Sequence, residues 1–446
     1  MNVVIVGAGD IGRYVATIMS KENHNVIVID HDARKLRHLE SATDIATRLG
    51  SGTDWQLLDD MLELFPDLLI ALTSSDEVNL VTCSLAKQLG YPATIARVHD
   101  NRFLNRTRLD FGRVFDVDYF ICPELLTAHE ILRYVTSMGA VGVEYFAHGA
   151  VELTTLIVPQ NFPQKNIALS KVALPAGVMV GLIYRGGKDL IFPHGEDRLL
   201  PGDEVTFIGE TEAIDAMPEF LGVQRKAIQS AVLFGGSLTA LHLARLLEMR
   251  SLGVRIIEKD YDRAAYLADA LPKTTVIHQD GLDIEFLKSE KIGITDLFVA
   301  CTKHDETNLF ATLQAKEAGC RDVLMVLANR DNLPLLGKLG IGHVVSPVVC
   351  ATSRILSQAS TGTVNTLVSL YENRAEIIEV NVSPGSQLVG IPLSDLGHLL
   401  PEDFLIAMIQ NRGRIMVANG NRIISPGDTV ILITSPQHVP ELENIF

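Results

Sequence analysis

One strand-loop-helix unit occurs twice in this chain, 228 residues apart, so the fold has to be built from two copies of a single plan. Val3-Val4-Ile5-Val6-Gly7-Ala8-Gly9-Asp10-Ile11-Gly12, followed by the apolar run Val26-Ile27-Val28-Ile29-Asp30, returns as Ala231-Val232-Leu233-Phe234-Gly235-Gly236-Ser237-Leu238-Thr239-Ala240 with Val254-Arg255-Ile256-Ile257-Glu258. Gly235 follows Gly7 by 228 residues, and Glu258 follows Asp30 by the same interval. Ser74-Ser75-Asp76-Glu77-Val78-Asn79-Leu80 answers to Lys303-His304-Asp305-Glu306-Thr307-Asn308-Leu309. Further on, Leu174-Pro175 matches Leu400-Pro401, and the turn Pro201-Gly202-Asp203 matches Pro426-Gly427-Asp428. Each half therefore has a large N-terminal part and a small C-terminal part.

A chain of 446 residues, 47% hydrophobic and 21% charged, exceeds what one core supports. With the duplication, four domains are expected: 1–138, 139–223, 228–361 and 362–446, with the polar stretch Gln224-Arg225-Lys226 joining the halves. Apolar runs are short of the roughly 18 residues that a spanning helix needs, and the N-terminus reads directly as a strand, which implies a soluble, untargeted protein. The five cysteines (Cys83, Cys122, Cys301, Cys320, Cys350) are scattered and include no C-x-x-C pair, so neither a disulfide framework nor a zinc site is expected. A formal net charge of −16 argues against nucleic-acid binding, which needs concentrated Lys and Arg. It suits docking on a basic surface, such as the cytoplasmic face of a membrane protein.

Strands are expected at 2–6, 26–30, 45–49, 67–72, 93–98 and 117–121, with helical patterning between them. Continuous β-branched runs in a βαβ order give a parallel sheet covered on both faces, a Rossmann-type doubly wound α/β domain. From Gly139 the alternation stops. Strands near 151–157, 178–184 and 204–209, with a hairpin turning at Gly186-Gly187, predict a small mixed β/α lobe. The second half repeats both parts, with its hairpin at residues 406–417.

Gly7-x-Gly9-x-x-Gly12 lies between a strand and a helix, the context in which this spacing is informative. Gly7 permits the tight turn, Gly9 lets the backbone approach a pyrophosphate, and Gly12 allows close helix packing, while the helix N-terminus offers free N–H groups to an anion. The intervening Ala8, Asp10 and Ile11 belong to the same loop. Asp30, at the end of the second strand, is placed to accept from both ribose hydroxyls and would repel a 2′-phosphate, so NAD(H) is expected over NADP(H). The bland alternative is that the glycines serve only packing and Asp30 only the helix that follows. In the second copy Ser237 and Ala240 replace the second and third glycines, and Glu258 keeps the acid. A Cβ at position 237 crowds the pyrophosphate, so Gly235, Ser237 and Glu258 read either as a second site or as a retained fold whose pocket is empty or has changed ligand.

A dehydrogenase would need an acid/base in the small lobes. Their histidines, His148, His194 and His398, occupy unrelated places in the two copies, and no S-x-x-x-K or H-E-x-x-H pattern is present. Nucleotide folds without a catalytic constellation indicate sensing.

On these residues the chain resembles the TrkA family, the peripheral nucleotide-binding subunits of Trk-type potassium uptake systems, built from tandem RCK (KTN) modules. The likeness spans the full length. It rests on the Gly7–Gly12 loop with Asp30, Thr73-Ser74-Ser75-Asp76-Glu77-x-Asn79, Ile95-Ala96-Arg97-Val98, Ala328-Asn329-Arg330 in the second copy, and the two Pro-Gly-Asp turns. The resemblance implies that Thr73, Ser74 and Arg97 join the nucleotide site. It also implies a homo-oligomer, dimer or tetramer, forming a cytosolic ring at the inner face of the membrane beneath a potassium-translocating subunit. NAD(H), with ATP or ADP as further ligands, would control that subunit. ATP-gated single-module relatives often place Arg directly after the second glycine, where this chain has Asp10 and Leu238, so the resemblance does not extend to γ-phosphate recognition by that arginine. The rival readings are a cytosolic NAD-dependent oxidoreductase with a fused pseudo-domain and an RCK protein serving a different transporter or exchanger.

Overall fold

The computed structural model describes residues 1–446 except 44, 106–107, 137–139, 147–149, 223–227, 330–331, 333–335, 337–338, 340, 342, 360–363, 372–373, 399, 402, 412–413, 440–441 and 443–444. Outside the described residues fall Gly139, His148, Gly149, the joining stretch 224–226, Arg330 and the turn Arg412-Gly413.

The run Val3–Val6 is buried throughout, as a strand covered on both faces must be. It forms β1 (Asn2–Val6), central in a parallel sheet with β2 (Asn25–Asp30), β3 (Ala46–Leu49), β4 (Leu68–Ala71), β5 (Ala93–Arg97) and β6 (Tyr119–Ile121). The order is β3-β2-β1-β4-β5-β6. The chain thus reverses direction across the sheet between β1 and β4, which opens a crevice at their C-terminal ends. The helix Asp10–Lys21 leaves β1 there and turns Ile11, Val15, Ala16 and Met19 into the core. Beyond it, β7 (Ala140–Phe146), β8 (Val151–Ile157), β9 (Val178–Arg185), β10 (Asp189–Ile191) and β11 (Glu204–Glu210) form an antiparallel sheet in the order β10-β9-β11-β8-β7. The β9-β10 hairpin turns through Gly186, Gly187 and Lys188.

The second half repeats both sheets. Strands β12 (Ser230–Phe234), β13 (Gly253–Glu258), β14 (Thr275–His278), β15 (Leu297–Ala300), β16 (Asp322–Val326) and β17 (His343–Val345) lie parallel in the order β14-β13-β12-β15-β16-β17. Strands β18 (Val364–Leu370), β19 (Ala375–Asn381), β20 (Phe404–Asn411), β21 (Arg414–Val417) and β22 (Thr429–Thr434) lie antiparallel in the order β18-β19-β22-β20-β21.

The chain clusters into two compact units, and like parts group with like. The first holds Met1–Leu132 with Ile228–Ala359, and the second Arg133–Ala227 with Ser360–Phe446. Within the first unit one helix crosses between the copies. Pro347–Ala359 follows β17, yet it packs on the helix Asp10–Lys21 and on β6. Its Val348, Ala351, Ile355 and Ala359 join Val3, Ile5, Val15 and Met19 in one core. In the second unit the two small sheets share a core, with Val151, Leu153, Leu182 and Ile208 of one against Ile377, Met408, Ile431 and Ile433 of the other. Its edge carries polar links: Tyr371 Oη lies 3.0 Å from Thr206 Oγ1, and Arg374 donates to the Lys188 carbonyl at 2.7 Å. The repeated Pro-Gly-Asp turns end in buried aspartates. Asp203 receives a two-pronged Arg185 at 2.9 and 2.8 Å, and Asp428 receives the Asn411 amide at 2.5 Å.

Among the described residues no helix is long and apolar enough to cross a membrane, and no group of His, Cys, Asp and Glu is placed to hold a metal ion.

Candidate functional site

Three glycines build the first loop, and the structure separates their reasons. Gly7 has φ +109°, and its N–H donates to the Ile29 carbonyl at 2.8 Å, which ties the turn to β2. A Cβ on Gly12 would collide with the Gly7 carbonyl oxygen, so helix and loop approach too closely for any side chain there. Gly9 differs from both. It is the residue before the helix Asp10–Lys21, with φ −71° and ψ −175°, and a Cβ there would meet nothing within 4 Å. No side chain caps that helix, which leaves its first N–H groups to whatever occupies the crevice. Ile11 is buried in the core and offers the site only its backbone, while the exposed Asp10 pairs with Arg13 at 3.3 Å.

Asp30 is only 6% exposed and acts first as a brace for the loop. Its Oδ2 accepts from the Ala8 N–H at 2.6 Å and its Oδ1 from the Asp32 N–H at 2.8 Å. The helix Ala33–Ala42 is capped by Asp32 itself, whose side chain accepts from the Arg34 N–H. Oδ1 also lies 3.4 Å from His31 Nδ1, whereas Oδ2 is committed to the Ala8 N–H, and a carboxylate oxygen has capacity for a second donor. The backbone of Leu72 and Thr73 packs against Gly7 from β4.

Sequence reasoning missed the residue that organises this second strand end. Asn79 is completely buried. Its Oδ1 accepts from the Thr73 N–H (2.9 Å) and hydroxyl (2.7 Å), and its amide donates to the Thr73 and Arg97 carbonyls at 3.1 and 2.9 Å. Asn308 does the same for Thr302 and Val326 in the second copy. Its recurrence in the repeat was the available signal. Ser74 is exposed, and Ser75 caps the helix Asp76–Leu89. The Arg97 side chain turns to a polar cluster, with Nη2 3.0 Å from His99 Nε2 and 3.4 Å from Glu124 Oε1, and its buried Nε has no partner. Asp76 accepts from the His99 N–H and lies 2.8 Å from His99 Nδ1. With Nδ1–H assigned as the donor to Asp76, Nε2 is left to accept from the Arg97 guanidinium, so the imidazole has no lone pair for general-base work.

In the second copy Gly235 has φ +93°, Glu258 accepts from the Gly236 and Asp260 N–H groups at 2.6 and 2.8 Å, and Ser237 accepts from the Ala240 N–H at 3.2 Å, capping the helix Leu238–Met249. The two loops are therefore braced alike but ended differently. Burial pushes the Cys301 thiol under this loop up to about 12 and leaves it protonated. None of the five cysteines is in a disulfide. His194 is exposed on the first small lobe, and His398 lies in the short helix Leu393–His398 of the second. A separate cavity of about 800 Å³ in the second unit is lined by Glu210, Glu212, Arg414 and Arg422, among others.

The family model of the TrkA-N domain matches residues 3–119 and 231–347, and that of the TrkA-C domain matches residues 156–222 and 377–446. The Trk system potassium uptake protein TrkA homolog 1 of Methanosarcina mazei is 30% identical over the whole of both chains. The Trk system potassium uptake protein TrkA of Haemophilus influenzae is also 30% identical, covering 100% of this chain and 98% of its own. Among solved structures, the GsuK RCK domain has a TM-score of 0.62 at 17% identity, covering 100% of this chain and 94% of that one. The GsuK channel bound to NAD has a TM-score of 0.62 at 17% identity, covering 100% and 78%. At that identity the likeness shows a shared fold.

Proposed function

The chain belongs to the TrkA family, and from that premise we propose that it is the cytosolic, nucleotide-binding regulatory subunit that gates a potassium-translocating membrane protein. It works at the inner face of the membrane as a homo-oligomeric ring, and it is not an enzyme. The observation that carries the reading is the first loop: a helix N-terminus with no side-chain cap, a Gly9 whose missing Cβ leaves open space, and a buried carboxylate beside both. That combination suits a dinucleotide, with pyrophosphate over Gly9 and ribose toward Asp30, and the Asp30 charge favours NAD(H). The NAD bound by a structural neighbour of the same fold supports the ligand class, and ATP and ADP are the competitors to test. Thr73, Ser74 and Arg97 complete the site from the ends of β4 and β5, and Gly235, Ser237 and Glu258 are its counterpart. The functional units are 1–138, which holds nucleotide, its counterpart 228–361, and the small lobes 139–223 and 362–446, which transmit the nucleotide state.

Titration with NADH tests the ligand. Asp30→Ala removes a carboxylate that would hydrogen-bond ribose, a loss of about 1.5 to 3 kcal/mol for a charged acceptor, or roughly tenfold to more than a hundredfold in affinity. Unchanged affinity, or a wild-type preference for NADPH, would refute the assignment.

A further inference from the structure

Among the positions at which the second loop departs from the first, two adjacent ones bring protein atoms to the site. Ala8 becomes Gly236, and Gly9 becomes Ser237. A Cβ at Gly236 would stand 2.5 Å from Leu267 Cδ1, 2.7 Å from Glu258 Oε2 and 3.3 Å from Arg263 Cγ. This glycine is what lets the stem of Arg263 lie against the loop. From there Arg263 Nε donates to the Gly236 carbonyl at 2.5 Å, and the guanidinium carbon sits 5.0 Å from the centre of the Tyr266 ring. A charge-assisted hydrogen bond on one side and an aromatic face on the other hold the side chain across the loop. The Ser237 hydroxyl oxygen meanwhile accepts from the Ala240 N–H, one of the groups that a phosphate would use. In the first copy the position of Arg263 is taken by Lys35, which is exposed.

We propose that Arg263 is a latch that holds the dinucleotide site of the second copy closed, so that the two halves of the chain differ in nucleotide occupancy. The proposal rests on the reading of the glycine loops as nucleotide sites. The first loop fills freely, whereas the second admits a dinucleotide only when the guanidinium leaves the Gly236 carbonyl.

Calorimetric titration of the full chain with NADH counts the sites. Arg263→Ala is expected to add one site per chain, binding NADH at least about tenfold more tightly than the wild-type second lobe, which corresponds to the loss of one charged hydrogen bond from the closed state. The added site should persist in Asp30→Ala/Arg263→Ala, in which the first loop is impaired. A folded Arg263→Ala chain that gains no site, or loses one, overturns the latch. Arg263→Met, which keeps the length of the stem but has no donor for the Gly236 carbonyl, is read in the same way should the alanine variant not fold. If wild type binds no NADH while Arg263→Ala binds one equivalent, the latch stands and the reading of the first loop falls.

Discussion

Gly9 and Ser237 hold the same place in two copies of one loop, and the contrast between them separates the needs of folding from those of binding. Ser237 shows that this backbone accepts a side chain, since it adopts φ −62° and ψ 173° against −71° and −175° at Gly9. Gly9→Ala is therefore expected to leave the melting temperature nearly unchanged while weakening NADH binding by roughly tenfold, through a Cβ held against the pyrophosphate. Gly12→Ala should behave in the opposite way, because its Cβ meets the Gly7 backbone, and overpacking of this kind costs about 1 to 3 kcal/mol of stability. Thermal melts and NADH titrations of the two variants check both halves of the expectation. The glycine spacing and Asp30 were legible in the sequence because a strand, a turn and an acid 23 residues on are a local pattern. The repeat marked Asn79 without giving its role, which is to bridge two strand ends, and nothing local marked Arg263, which folds back over a loop 27 residues earlier. Nor does sequence reveal that the oxygens of Asp30 already brace Ala8 and Asp32.

At the scale of elements the continuous apolar runs placed the strands of the first Rossmann lobe to within a few residues, because each run must be buried on both faces wherever it lies, and the repeat carried the pattern to the second. The destination of the helix Pro347–Ala359 was hidden. Its apolar spacing declares that one face is buried, not which copy buries it, and the answer is the core of the first half. Ile355, fully buried there, links the two copies through packing alone. Ile355→Ala should destabilise the chain by about 2 to 5 kcal/mol, the usual range for emptying such a site. Because its helix packs on Asp10–Lys21 and Ile355 shares a core with Val3 and Ile5 of β1, hydrogen exchange should quicken in residues 2–21 of the other half. Exchange that quickened only within 228–359 would contradict the shared core.

For the whole molecule, the switch proposed above draws on the duplication, the grouping of like lobes and the family membership. A ligand moves a conformational equilibrium only by the difference in its affinity for the two states, so regulation requires nucleotides that prefer different arrangements. A coupling of about 1 to 3 kcal/mol corresponds to a roughly 5- to 150-fold difference. The measurement closest to this claim is potassium flux in proteoliposomes that hold the Trk-type membrane subunit, with and without this protein, while NADH, NAD, ATP and ADP are exchanged in turn. The account predicts that flux changes by about that factor between at least two of the nucleotides, and only when this protein is present. Flux indifferent to all four, with the two proteins still bound to each other, would contradict it.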